Sequence, residues 1–258
     1  MDVERKTLLK FREIFARPAA FSQCRTMLGS MPALGDCRPL QSREEVDAAT
    51  RIIESLRLPS HHDHQKNWDN LKCLYYIVQN VDRCSPILDA GSGADSKILT
   101  LLSRLGYERL YACDIRSSRR NRYGRRGIDF SVQDITRTTY ADSFFKAITS
   151  ISVIEHGIIL EHFVAEMHRI LDLGGLLLIT TDYWSEPVDC HGIYPYGREA
   201  GEMKVFQPSD LEHLHEIALQ YGFALCRPLN LQTNARVVRW QRVNREYTFA
   251  FMALRKER

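Results

Sequence analysis

The stretch Pro86-Ile87-Leu88-Asp89-Ala90-Gly91-Ser92-Gly93-Ala94-Asp95-Ser96 constrains this chain more than any other. A short apolar run turns through two glycines and enters a segment in which Ile98, Leu99, Leu101, Leu102 and Leu105 recur at helical spacing. Ser96 or Asp95 is placed to cap that helix. The expected order is strand, glycine turn, helix. Glycine lacks a Cβ, so the chain turns sharply there and a ligand can approach the backbone. The helix start behind the turn offers free N–H groups to polar or anionic atoms.

Four further apolar runs follow. Leu110 to Cys113 ends in Asp114, about 20 residues past the glycines, where an acid can meet ribose hydroxyls. Ile128 to Val132 ends at Gln133-Asp134, and Ala147 to Ile151 leads into Ser152-Val153-Ile154-Glu155-His156. Leu176 to Thr181 ends in Asp182. Polar and acidic groups therefore stand at the C-terminal end of strand after strand, the edge where open α/β sheets bind ligands. A Gly-x-Gly turn without a third glycine argues against a standard dinucleotide oxidoreductase.

In these residues the chain resembles the class I S-adenosylmethionine-dependent methyltransferases, and among them the type 11-like subgroup. The matching residues are Leu88 to Gly93, Asp114, Gln133-Asp134, Val153-Ile154-Glu155-His156 and Arg169-Ile170-Leu171-Asp172-Leu173-Gly174-Gly175, in the family's order. The resemblance runs from about Pro86 to Asp182. Two positions depart from it: Leu173 stands where proline is usual, and Lys146 where many members carry an acid.

The resemblance implies an α/β fold: a doubly wound, mostly parallel seven-stranded sheet, Rossmann-like, with a helical N-terminal cap. The cap is expected over residues 1–82 and the S-adenosylmethionine-binding domain over 83–258. The implied cofactor set is Asp89, Ala90, Gly91, Ser92, Gly93, Asp114, Ile115, Gln133, Asp134 and Ser150. The glycine turn and Asp89 would hold the amino-acid end of the donor, Asp114 the ribose hydroxyls and Asp134 the adenine amine. Carboxylates suit ribose and adenine because those groups donate hydrogen bonds.

Methyl transfer from a sulfonium is an in-line displacement on an activated donor, so the protein mainly aligns two reactants. A hydroxyl acceptor also needs its proton removed, and His156, just past the fourth strand, is the first candidate base. His191 and Asp182 follow. No metal is expected: relatives that bind one carry Glu-x-x-Glu-His, and Ser152 replaces the first acid here.

The charge, +3 over 258 residues, does not by itself point to nucleic acid. Arg116, Arg119, Arg120, Arg122, Arg125 and Arg126 crowd into a short stretch, however, so an RNA methyltransferase using that cluster is the enzyme alternative. A cofactor- or partner-binding fold member without catalysis is the other alternative. A small-molecule acceptor is the expected partner, with a hydroxyl or amine and a ring or sugar, and nucleic acid is not. The seven cysteines lack Cys-x-x-Cys spacing, no apolar run spans a membrane, and a cytoplasmic location with reduced thiols is expected.

The flanks read more coarsely. Leu8, Leu9, Phe11, Ile14 and Phe15 form a basic amphipathic helix closed by Pro18, expected to pack on its own domain or on a second copy as a homodimer. Ser42 with Glu45, and Ser209 with Glu212, look like capping boxes. His61-His62-Asp63-His64 is expected to be a polar loop rather than a metal site. Lys66, Trp68 and Asp69 are candidates to line the pocket. The long segment from Asp182 to Phe206 carries Tyr183, Trp184, His191, Tyr194 and Tyr196, suited to a ring or sugar face. Two last strands are expected at Phe223–Leu225 and Tyr247–Leu254.

Overall fold

The computed structural model describes residues 18–93, 96–116, 123–124, 127–198 and 201–258. The basic helix expected before Pro18, and every arginine of the cluster except Arg116, lie outside them.

Strands β1 (Pro86–Ala90), β2 (Arg109–Asp114), β3 (Asp129–Val132), β4 (Phe145–Ile151) and β5 (Leu171–Tyr183) are parallel, and β8 (Arg245–Lys256) runs antiparallel to β5. With β6 (Phe223–Leu225) the order is β3-β2-β1-β4-β5-β8-β6. An eighth strand, β7 (Val238–Trp240), pairs with β8 off this path and was not foreseen. The chain winds one way from β1 to β3 and the other way from β4, so a crevice opens at the C-terminal ends of β1 and β4.

Successive strand residues face opposite sides of the sheet. Ile87 and Leu178 face one core, shared with Leu28 of α1 (Pro18–Gly29), Ile53 of α2 (Arg43–Ser55), Leu74 of α3 (Lys66–Asn80) and Leu101 of α4 (Lys97–Arg104). Leu88 and Leu177 face the other, with Phe163 of α5 (Leu160–Ile170) and Leu214 of α6 (Pro208–Tyr221). The boundary expected at residue 82 thus runs through one continuous core, in which the described helices of the first segment share one face of the sheet with α4.

Several local expectations are corrected. Pro18 opens α1, where its missing N–H is harmless in a first turn. Ser42 is the N-cap residue of α2 but makes no side-chain cap. Glu45 instead grips the Arg38 guanidinium in a two-pronged pair at 3.0 and 2.8 Å, a charge-assisted geometry that outcompetes a neutral cap. Helix α6 starts earlier than expected, with Gln207 and Asp210 as its capping box. Lys146, which departs from the family pattern, pairs with Asp172 at 2.6 Å and holds that carboxyl below its usual range.

Candidate active site

At the end of β1 the chain turns through Gly91 and Gly93, both with positive φ (79° and 62°). A Cβ at Gly91 would come within 2.5 Å of a Val153 methyl, so the position admits no side chain. At Gly93 a Cβ would meet nothing within 4 Å, so the turn presents bare backbone to open space. The Tyr123 hydroxyl fixes the turn from behind. It accepts from the Ser96 N–H at 2.8 Å and donates to the carbonyl of Ser92 at 3.0 Å or of Gly93 at 3.2 Å. Its ring is fully buried and stacks on Phe130. Ser96 caps α4 by accepting from the Leu99 N–H.

The strand ends carry the acids. Asp89 is buried and accepts from the Thr149 hydroxyl at 2.6 Å; burial pushes its carboxyl up to about 6, against the Ser96 and Thr149 hydroxyls. Asp114 accepts from the Gly93 N–H and from the Arg116 N–H, both at 2.9 Å. It therefore ties the glycine turn to the end of β2. Asp134 accepts from the Thr136 N–H and hydroxyl, and Gln133 accepts from Thr139 while donating to Ser131.

These groups line one cavity of about 1140 Å³. Asp89, Gly91, Ser92, Gly93, Asp114, Ile115, Gln133 and Asp134 form one end of it. Ile115 is 58% exposed, an apolar surface facing that space. His156, Ser152, Lys66, Tyr196, Arg198 and His162 line it too, as do His61, His62 and Asp63 of the histidine-rich loop. Ala90 and Ser150, expected with the cofactor set, are not on its wall. Ala90 is fully buried inside the sheet, and Ser150 is buried on the face of β4 that carries Ile148.

The three expected reactive side chains are separated. His156 is on the wall, edge-on to Tyr196 at 4.9 Å between centroids. Burial and the nearby Lys66 ammonium bring its pKa down to about 4, so the ring is neutral at physiological pH. His191 does not reach the cavity: its side chain is 94% exposed and lies 3.6 Å from Glu202. Asp182 lies beneath the floor, buried, bonded to the Tyr247 hydroxyl and facing Lys66.

Lys66, a sequence candidate for the pocket, lines the cavity amid a cluster of carboxyls. Its ammonium donates to the Ser152 hydroxyl, pairs with Asp69 at 3.1 Å and sits 3.7 Å from the centroid of the Phe249 ring. Asp182 and Glu155 face it as well. Burial pushes Asp69 up to about 6 and Asp182 to about 7, and raises Glu155 too. Ser152 has φ +52°, a strained value for a residue with a Cβ, of the kind that clusters at functional sites. Trp68 is core, as are Tyr183 and Trp184. Of the aromatic loop, Tyr196 is the ring on the cavity wall.

Residues 88–179 match the family described as a methyltransferase domain. The matched stretch runs from β1 into β5 and takes in the glycine turn and the acids at the strand ends. Solved structures share the fold at low identity. The [4+2]-cyclase SpnF is 15% identical over 83% of this chain and 93% of that one, with a TM-score of 0.55. The 1,6-didemethyltoxoflavin-N1-methyltransferase of Burkholderia thailandensis, with 1,6-didemethyltoxoflavin and S-adenosylhomocysteine bound, is 18% identical over 85% of this chain and 92% of that one, at 0.52. Phosphoethanolamine N-methyltransferase 2 of Haemonchus contortus is 14% identical over 68% of this chain, at 0.49; the match spans about half (49%) of that chain. No curated protein matches the chain in sequence.

The lining of this cavity is compatible with S-adenosylmethionine, the donor that the sequence resemblance implies. The bare backbone at Gly93, the carboxylate at the end of β2 and the exposed apolar Ile115 offer polar, acidic and apolar surfaces to one cavity. Among the described residues no cluster of metal-ligating side chains is present and no helix is long and apolar enough to cross a membrane.

Proposed function

We propose that this chain transfers a methyl group from S-adenosylmethionine to a hydroxyl or amine of a small acceptor bearing a ring or a sugar. One observation carries the reading: a single cavity joins the acids of β1 to β3 to a wall of His156, Tyr196, Ser152 and Lys66. At about 1140 Å³ it exceeds the 300–1,000 Å³ typical of one small ligand, leaving room for donor and acceptor together.

The bound donor supplies an electrophilic methyl group. The glycine turn, Asp114 and Asp134 would hold it, with Asp89 stiffening the floor through Thr149. Ser152 orients the acceptor. Lys66 donates into its oxygen, which leaves the Ser152 O–H to donate toward the cavity. His156 takes the acceptor's proton. A ring with a pKa of about 4 is a weak base for a resting hydroxyl. It suffices for an oxygen that becomes strongly acidic as it gains the methyl group, and for an amine that attacks as the neutral species. Tyr196, edge-on to His156, offers a face to a ring or sugar.

The experiment is calorimetric titration of the full chain with S-adenosylmethionine, S-adenosylhomocysteine and NAD, followed by acceptor screening for methylated product by mass spectrometry. Micromolar binding of the first two and not of NAD, with a methylated acceptor, supports the reading. Donor binding with product from no acceptor favours the non-catalytic alternative, and binding of none of the three removes the donor site.

A further inference from the structure

The cavity's charges are unevenly divided. Its donor end holds Asp89, Asp114 and Asp134, each already engaged by Thr149, by backbone N–H groups or by Thr136. Two guanidinium groups brought by separate elements line the cavity as well, Arg116 next to Asp114 and Ile115 just past β2, and Arg198 in the loop between β5 and α6. The Arg116 backbone N–H bonds to Asp114, but its side chain does not fold back to neutralise that acid. It reaches across to the loop, where Nη2 lies 3.2 Å from the position a Cβ would take on Gly197. Gly197 has φ +89°, and the next residue is Arg198, whose guanidinium packs over the Tyr194 ring. Among the described residues no ion pair involves either guanidinium, whereas Lys66 in the same cavity is matched by Asp69, Asp182 and Glu155.

Two guanidinium groups at one cavity rim, neither in an ion pair among the described residues, give that rim a positive potential that attracts anions. Planar guanidinium groups grip carboxylate or phosphate in a two-pronged fashion, which a lysine ammonium does not. We propose that Arg116 and Arg198 form a clamp for an anionic group, phosphate or carboxylate, on the small acceptor. This rests on the proposed function and narrows its acceptor class: a neutral ring or sugar alone leaves the clamp empty.

The test uses the full chain saturated with S-adenosylhomocysteine. Sodium phosphate and sodium benzoate are titrated in separately at constant ionic strength, with benzyl alcohol as the uncharged counterpart of benzoate. Arg116→Gln, Arg198→Gln and the double variant are compared with wild type and with Arg51→Gln, an exposed arginine on α2. The clamp is supported when one anion binds saturably, at least tenfold more tightly than benzyl alcohol, weakens at least tenfold in each single variant, vanishes in the double variant and is unchanged in Arg51→Gln. Preference for phosphate or for benzoate then names the acceptor's anion. No saturable anion binding, equal affinity in the double variant, or an equal loss in Arg51→Gln overturns it. S-adenosylhomocysteine affinity is read in every variant. Its absence in wild type removes the donor reading, and the same anion titrations on the unliganded chain still decide the clamp.

Discussion

The Tyr123 hydroxyl donates to the Ser92 carbonyl oxygen, 3.0 Å away, while accepting from the Ser96 N–H at 2.8 Å. One buried phenol thus bridges the two sides of the glycine turn. The turn that lines the cavity is held by a residue from a distant segment, not by its own sequence.

Tyr123→Phe leaves the ring stacked on Phe130 but removes both bonds. The buried Ser96 N–H then lacks its partner, a loss of about 1–3 kcal/mol. Denaturant melts should show that loss, and S-adenosylhomocysteine should bind several-fold more weakly because the turn is no longer held in shape. Unchanged stability and affinity would mean that water replaces the hydroxyl without cost.

Gly91→Ala places a Cβ 2.5 Å from Val153 on a backbone with φ +79°. Strain and overpacking together are expected to cost about 2–4 kcal/mol. Adding Val153→Ala removes the clash but not the φ penalty, so it should restore part of the melting temperature and not all of it. Full restoration would show that the close approach alone forbids a side chain there.

Asp114→Ala removes the acceptor for the Gly93 and Arg116 N–H groups as well as the proposed ribose contact. Donor affinity should fall by on the order of 1–3 kcal/mol, the cost of losing a charge-assisted hydrogen bond. Calorimetry with S-adenosylhomocysteine reads this directly. An unaltered Kd would take Asp114 out of the site.

The features readable in the chain were those whose cause is local. Strand, glycine turn and helix at residues 86–104 follow from alternation, spacing and a Ser96 cap, and the acids at successive strand ends follow from where each apolar run stops. Tyr123 and the carboxyls around Lys66 were invisible as a set because tertiary packing brings them together from four or five segments. Glu45 misled because a capping box and an ion pair with Arg38 compete for the same carboxylate, and the charged partner stands before the helix begins. Tyr183 and Trp184 looked like ring-binding residues, but β5 carries Tyr183 into the core and Trp184 packs beside it. Strand β7 is three residues long, too short for any periodicity to register.

The carboxyls under Lys66 give stability an unusual pH dependence. Asp182 is pushed up to about 7 by burial, against the pull of Lys66 and the Tyr247 hydroxyl, from an ordinary value of 3.8. The folded chain therefore keeps a proton that the unfolded chain releases between about pH 4 and 7. Protons bound more tightly in the folded state make stability fall as pH rises through that window. Asp69 acts in the same direction, up to about 6, while His156, lowered to about 4, acts oppositely by losing stability as pH drops below 6.5. The comparison of Asp182→Asn with wild type isolates one group from the others. Asparagine cannot ionise, so the variant should lose less stability than wild type between pH 5 and 7.5, by on the order of 2 kcal/mol. Urea melts at half-unit intervals measure this. Parallel curves for the two proteins would place the titrating proton on Asp69 or Glu155 instead.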